Sequence, residues 1–250
     1  MNFLPETLFF VNEFYDTMPS EVREKTVKIN RMFSSIADRY DLANTMLSFN
    51  RDTFWRRFAV EKTGITSGNK VLDVATGTGK IAFQLEKKVG ETGLVTGVDF
   101  NEEMLKIGKT IAENNRVIFL RQDALRLAFR DNSFDAVTVG FGIRNMASVE
   151  RAVAEMARVV RKGGRVVILE FTMPRNKIIR ALYSFYFFNI LPLLGGIIAG
   201  DRSAYSYLPE SVEAFPKPKE LMKIMEKLGM DVEYNLLTFG TVAVHVGVKK

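Results

Sequence analysis

Between residues 70 and 171 the chain carries five short, nearly continuous apolar runs, each set apart by a stretch with helical spacing. They are centred on Val71-Leu72-Asp73-Val74, Val95 to Asp99, Val117 to Ala124, Phe134 to Val139 and Arg165 to Phe171. Apolar strands of this kind, alternating with helices, predict a parallel sheet covered on both faces. Asn101 is placed to cap a helix, with Glu102 and Glu103 in its first turn and Met104, Leu105 and Ile111 on one apolar face. Lys162-Gly163-Gly164 reads as a turn feeding the fifth strand. The end of the chain differs: Val232 to Thr238 and Val242 to Val248 flank Phe239-Gly240-Thr241, which predicts a closing antiparallel hairpin.

Upstream, residues 1–22 read as an N-terminal extension, and 23–250 as one domain without an internal repeat or dividing linker. From Glu21 to about Gly64 the spacing is helical, through Ile29, Met32, Phe33 and Ile36 and again through Phe54, Trp55 and Phe58. Arg39 to Asn44 interrupts it as a polar and aromatic loop. An apolar insertion lies around 174–218, and Leu182 to Ala199 within it has no charged residue. That is close to the length of a membrane span. Pro192 and Gly195-Gly196 are expected to break it, which favours a greasy lid or tunnel wall, either plain core or a surface for a lipid-like substrate.

Candidate chemistry gathers where the first strands end. Asp73-Val74-Ala75-Thr76-Gly77-Thr78-Gly79 is a strand running through a glycine turn into a helix. Gly77 and Gly79 lack β-carbons, so backbone can close on a ligand there. A glycine loop alone also fits dinucleotide sites, but a carboxylate at Asp73 would repel a pyrophosphate and suit a cationic ligand such as S-adenosyl-L-methionine. Asp99 ends the second run about 20 residues on, the position from which an acid takes ribose hydroxyls; Phe100 follows it. Asp123, with Ala124 beside it, would accept from an adenine amino group. The expected fold is α/β, a Rossmann-like parallel sheet with a terminal antiparallel hairpin, as in class I S-adenosylmethionine-dependent methyltransferases.

Composition narrows this further. The 250 residues are 47% hydrophobic and 26% charged, ordinary globular values. With no Cys and one His, a cysteine nucleophile, a disulfide framework and nearly every zinc site are excluded. No metal is expected, and His245, alternating with valines on the last run, reads as structural. The net charge of +6 suits an anionic surface, yet Lys and Arg form no dense run with interleaved aromatics, so nucleic acid is not an expected partner. The start of the chain has no basic-then-apolar leader pattern, so a cytoplasmic location is expected, with peripheral contact at the inner face of an anionic membrane. A homo-oligomer stays open.

Besides the glycine loop, further stretches carry a resemblance, and of these the Arg144-Asn145 strand end and Tyr207-Leu208-Pro209-Glu210-Ser211 lie outside the shared nucleotide fold. Phe141-Gly142-Ile143-Arg144-Asn145, Arg161-Lys162-Gly163-Gly164 with Glu170-Phe171, Tyr205-Ser206-Tyr207-Leu208-Pro209-Glu210-Ser211 with Phe215-Pro216, and Phe33 to Asp41 with Asn44 and Trp55-Arg56 resemble the ubiquinone/menaquinone biosynthesis C-methyltransferase family. The resemblance runs from about Lys25 to Lys250. It implies cofactor contacts at Thr76, Asp99, Asp123 and Ala124, and a prenylated quinol as substrate. Some members carry a serine contact where this chain has Gly140, so a hydroxyl there is absent or replaced by backbone.

The residues support such chemistry on their own. Methylation of a ring carbon is eased when a ring hydroxyl ionises, and a phenol has a pKa of about 10. Arg144, just after the fourth strand, is a poor base and a good phenolate stabiliser. Asn145 can orient a ring hydroxyl or a water. Tyr40, Asp201 and Tyr205 are candidates to complete the pocket or relay the proton. The competing reading is the same domain acting on an unrelated small phenolic or apolar substrate.

Overall fold

The computed structural model describes residues 20–112, 116–199 and 202–250. The described residues begin with two helices, α1 (Ser20–Leu47) and α2 (Arg51–Lys62). It then alternates through β1 (Lys70–Val74), α3 (Lys80–Val89), β2 (Leu94–Asp99), α4 (Glu102–Ile111), β3 (Val117–Arg121), β4 (Phe134–Gly140), α5 (Val149–Val159) and β5 (Val160–Phe171). A helical insertion follows as α6 (Lys177–Phe185), α7 (Leu191–Ala199) and α8 (Arg202–Ala214). Helix α9 (Pro218–Lys227) and strands β6 (Met230–Leu237) and β7 (Val242–Lys249) complete it.

The seven strands form one sheet in the order β3-β2-β1-β4-β5-β7-β6. The first five are parallel, and β7 lies antiparallel between β5 and β6. This is the expected Rossmann-like sheet with its closing hairpin. The side-chain period of two divides each strand between two cores. Val71, Val95 and Val244 face α2 and α3, whereas Leu72, Val137 and Ile168 face α5 and α9. Order reverses between β1 and β4, and ligands of such sheets bind in the crevice at that switch point.

Four local expectations change. The segment Arg39–Asn44 is helical, inside an unbroken α1. Lys162-Gly163-Gly164 is a bulge within β5: pairing jumps from Phe134↔Val160 to Ala136↔Arg165, with Gly163 at φ 72. Strand β3 stops at Arg121, so Asp123 lies in the turn beyond it. Pro192 and Gly195-Gly196 do not break the insertion, which stays helical from Lys177 to Ala199. A π-helical turn, Tyr186–Ile190, precedes Pro192 and absorbs its missing N–H. Gly195 is a packing position, since a β-carbon there would fall 2.2 Å from Tyr205 Cγ.

The insertion and α1 build a third, separate core. Ile36, Ala43 and Leu47 of α1 meet Phe187, Leu191, Tyr205 and Val212. This cap lies beside the carboxyl ends of β4 and β5, with Phe171 and Met173 packed against it. The proposed extension at residues 1–22 falls almost wholly outside the described residues.

Candidate active site

Two adjoining cavities open between the sheet and the cap. The first is lined by the ends of β1, β2 and β4, the turn after β3 and one face of α1. The backbone at two of these ends is left-handed at non-glycine residues, Ala75 (φ 51) and Phe141 (φ 59). Such positions cost on the order of 1–3 kcal/mol each and concentrate at functional sites. Gly77, at φ 56, needs its conformational freedom, and a β-carbon there would stand in open space within the cavity. Gly79 plays a different part: it is not in the cavity wall, and its missing β-carbon makes room for Phe119 Cζ, 2.7 Å from where it would lie. Gly140 faces the cavity, and a β-carbon there would lie 2.3 Å from Ile81 Cδ1.

Three carboxylates converge on this space. Asp73 is 1% exposed and accepts the Thr76 and Thr138 hydroxyls, each at 2.7 Å. It therefore fixes the loop as well as charging the cavity. Burial pushes its carboxyl up to about 6, partly offset by those threonines. Asp99 accepts the Gly77 and Asn101 backbone N–H groups, both at 2.8 Å. Asp123 accepts the Leu125 N–H at 2.8 Å through Oδ1, while its buried Oδ2 has no partner. Burial raises both of these acids as well. A buried acceptor without a donor costs about 1–3 kcal/mol, so a donor from a ligand is called for. Asn145 Oδ1 is a second such orphan in the wall. The glycine cradle, the carboxylates and the orphaned acceptors fit S-adenosyl-L-methionine, with its cationic methionine end and adenine amino group. Thr76, Phe100 and Ala124 also line the cavity.

The second cavity is walled by aromatic rings and two arginines. Arg144 stands in a short 3-10 turn, Ile143–Asn145. Its Nη1 donates to Glu170 Oε1 at 2.7 Å and to the Phe141 carbonyl at 2.6 Å, and its Nε to Ser211 Oγ at 3.3 Å. Glu170 is 1% exposed, so this is a buried ion pair. Arg144 is thus held by a neighbouring acid as well as facing the cavity. Tyr40 lines both cavities and Tyr205 the second. Asp201 lies outside the described residues.

Several residues here carried no expectation of a role in the site. Arg56 pairs with buried Asp52, lines both cavities and holds its guanidinium 5.3 Å over the Phe141 ring. Their spacing of four on α2 was visible in the sequence, but not the face they share. Helix α1 is latched onto the first cavity at two points. Asn101 Nδ2 donates to the Asn30 carbonyl and to Ser34 Oγ, both at 2.9 Å, and Thr78 Oγ1 donates to Asp41 at 2.8 Å.

Comparison with known proteins places the chain in a family. The chain is 49% identical over 218 residues to a demethylmenaquinone methyltransferase of Thermus thermophilus, covering 86% of this chain and 99% of that one. It is 41% identical over 242 residues to a ubiquinone/menaquinone biosynthesis C-methyltransferase UbiE of Pseudomonas entomophila, covering 94% and 93%. Among solved structures, an S-adenosylmethionine-dependent methyltransferase of Aquifex aeolicus superposes with TM-score 0.59 at 19% identity, over 79% of this chain and 91% of that one. Phosphoethanolamine N-methyltransferase 2 of Haemonchus contortus, solved with S-adenosyl-L-methionine, superposes with TM-score 0.56 at 17% identity, over 77% and 52%. At those identities the likeness is one of fold. The ubiE/COQ5 methyltransferase family matches residues 20–249, so the chain belongs to that family and is an S-adenosylmethionine-dependent C-methyltransferase of quinone biosynthesis.

Proposed function

We propose that the protein transfers the methyl group of S-adenosyl-L-methionine to a ring carbon of a reduced, prenylated quinol. The names borne by its relatives point to menaquinone or ubiquinone precursors. The observation that carries the reading is the junction of the two cavities, whose shared wall is Phe33, Tyr40, Arg56 and Phe141. A carboxylate-lined chamber for a cationic donor opens there onto an aromatic chamber containing fixed positive charge.

Asp73, Gly77, Asp99 and Asp123 would hold the cofactor, and Asn145 lines the same chamber. The cofactor supplies an electrophilic methyl on a sulfonium. The chain's own contribution is to orient the ring, exclude water and stabilise negative charge on a ring oxygen. Arg144 does the last as a hydrogen-bond donor more than as a free charge, because Glu170 already balances it. Tyr40 and Tyr205 complete the wall around the ring. A metal is not needed for this chemistry, and 23–250 acts as one catalytic unit.

The insertion carries the prenyl tail to a membrane surface. Ile178, Leu182, Phe185 and Ile197 are 62–73% exposed, and Phe49, at φ 52, is 79% exposed beside Tyr186. Lys177–Ile198 is long and apolar enough to cross a membrane. Its packing on α1 and α8 through Phe187 and Leu191 supports a helix lying on the surface instead. Incubation with labelled S-adenosyl-L-methionine and a panel of quinols, followed by product mass spectrometry, tests the function. Methylation of prenylated quinols at a ring carbon is the expected result; turnover of water-soluble phenols alone would overturn it.

A further inference from the structure

Arg56 is 6% exposed, yet it makes only one side-chain hydrogen bond, to Asp52. Its other guanidinium N–H groups have no acceptor among the described residues. Asp52 is itself 3% exposed and is further held by Ser48 Oγ at 3.1 Å, with Lys80 Nζ 4.0 Å away. These unspent donors are not sealed in the core: they open on the cavities that Arg56 lines, where a ligand oxygen can accept from them. Arg56 faces both cavities, whereas Arg144 faces only the second. The two therefore stand at different depths along one chamber, each anchored by its own buried carboxylate. Burial raises the Tyr40 phenol, and the charges of Arg144 and Arg56 both pull it back, which places its hydroxyl within the field of the pair.

We propose that Arg56 is a second substrate-binding donor: it donates to the quinol oxygen next to the carbon that is methylated, from the cofactor side, while Arg144 stabilises the developing charge from the second cavity. This deepens the function proposed above and rests on it. The assignment follows from position. The accepting carbon must reach the cofactor chamber, so its neighbouring oxygen lies nearer that chamber, where Arg56 is. In the reaction that hydroxyl loses its proton, and its electron pair drives the ring carbon onto the methyl. The carbon–carbon bond forms as the sulfur–methyl bond breaks, leaving a neutral thioether. Loss of the ring proton then restores the aromatic ring, and one proton is regained on oxygen. The net products are methylated quinol, S-adenosylhomocysteine and one proton. Arg56 acts on the oxygen whose negative charge is greatest before transfer.

The test uses the full chain with Arg56→Gln, Arg56→Lys and the pair Asp52→Asn with Arg56→Gln. The last removes both charges together, so Asp52 is not stranded. The expected result is a fall in kcat/KM of about 10²-fold for Arg56→Gln, a smaller fall for Arg56→Lys, and near wild-type affinity for S-adenosylhomocysteine. The double variant should regain thermal stability without regaining turnover. Activity of Arg56→Gln relative to wild type should rise between pH 7 and 10, as the quinol ionises unaided. Recovery of turnover in the double variant, or a wild-type rate in Arg56→Gln, would overturn the assignment and leave Arg56 as the partner of Asp52. A wild-type protein that methylates no quinol would overturn the proposed function itself, and this assignment with it.

Discussion

Replacing Arg144 by Ala should damage folding and turnover through separate physical effects that respond oppositely to pH. Arg144 and Glu170 are 6% and 1% exposed at the side chain and meet at 2.7 Å. Removing the arginine strands a carboxylate that keeps only the Phe171 N–H at 2.9 Å and the weak contact to the residue 144 backbone. Breaking a buried pair on one side costs about 3–5 kcal/mol. Burial already holds the Glu170 carboxyl above its ordinary value, and Arg144 is the largest influence opposing that. Without Arg144 it rises further. A group raised in the folded state contributes stability at low pH that is lost as pH rises through its folded pKa. The deficit of Arg144→Ala is therefore greatest near pH 8 and shrinks as Glu170 is protonated, toward the ~1 kcal/mol of lost hydrogen bonds. Urea unfolding of wild type, Arg144→Ala, Glu170→Gln and Arg144→Ala with Glu170→Gln, at pH 5.5 and 8, measures this as a double-mutant cycle. Turnover should behave in the reverse sense, with a loss of about 10²–10³ in kcat that eases as the pH rises. A stability loss under 1 kcal/mol, or one equal at both pH values, would show that the pair is not the structural unit described.

Further outcomes follow from the same geometry. Asp99→Ala should weaken S-adenosylhomocysteine binding by roughly tenfold or more (about 1.5–3 kcal/mol), and equal calorimetric affinities would remove Asp99 from the site. Asp73, raised to about 6, should lose a proton on binding the cationic cofactor. Affinity for S-adenosyl-L-methionine should thus fall below pH 6, and calorimetry in buffers of different ionisation enthalpy should show proton release that Asp73→Asn abolishes. His245 is 2% exposed, donates from Nε2 to the Pro218 carbonyl at 2.9 Å, and is lowered to about 4 by burial. Its folded pKa lies below the unfolded value near 6.5, so it contributes stability above that value which is lost as pH falls toward 4, on the order of 3 kcal/mol; His245→Gln should flatten that part of the denaturation profile. Leu182→Glu with Phe185→Glu should reduce sedimentation with anionic vesicles while leaving the melting temperature nearly unchanged, because both side chains are exposed.

The sheet was legible because its signal is local and repeated. Each buried strand announces itself by an apolar run, and the glycine and acid between strands mark the turns. The site followed at the strand ends because the switch point fixes where ligands bind. What the pattern misread shares one cause. Tyr40, Asp41 and Asn44 look like a loop because they interrupt the apolar face of α1, yet those polar groups face the cavities and the glycine loop. A helix whose inner face serves a ligand is polar on the side where periodicity expects a core. Pro192 and Gly195 misled for a related reason. Each normally ends a helix, but a π turn takes up the first, and the Tyr205 ring fills the space left by the second.

Arg56 carries part of the family resemblance with Trp55, yet nothing in its sequence position marks a role, whereas that of Arg144 does. Arg144 follows a strand end, a place that topology alone marks as functional. Arg56 sits in the middle of α2, four residues from Asp52, a spacing shared by exposed pairs such as Arg57 with Glu61 on the same helix. Only burial separates them: Arg57 and Glu61 are 77% and 51% exposed at the side chain, Arg56 and Asp52 7% and 4%. The exposed pair is worth a few tenths of a kcal/mol. The buried pair loses solvation worth several kcal/mol, and a hydrophobic pair of similar volume would avoid that loss. Its presence in the wall between the two chambers is therefore better explained by what it offers a ligand than by what it adds to the fold.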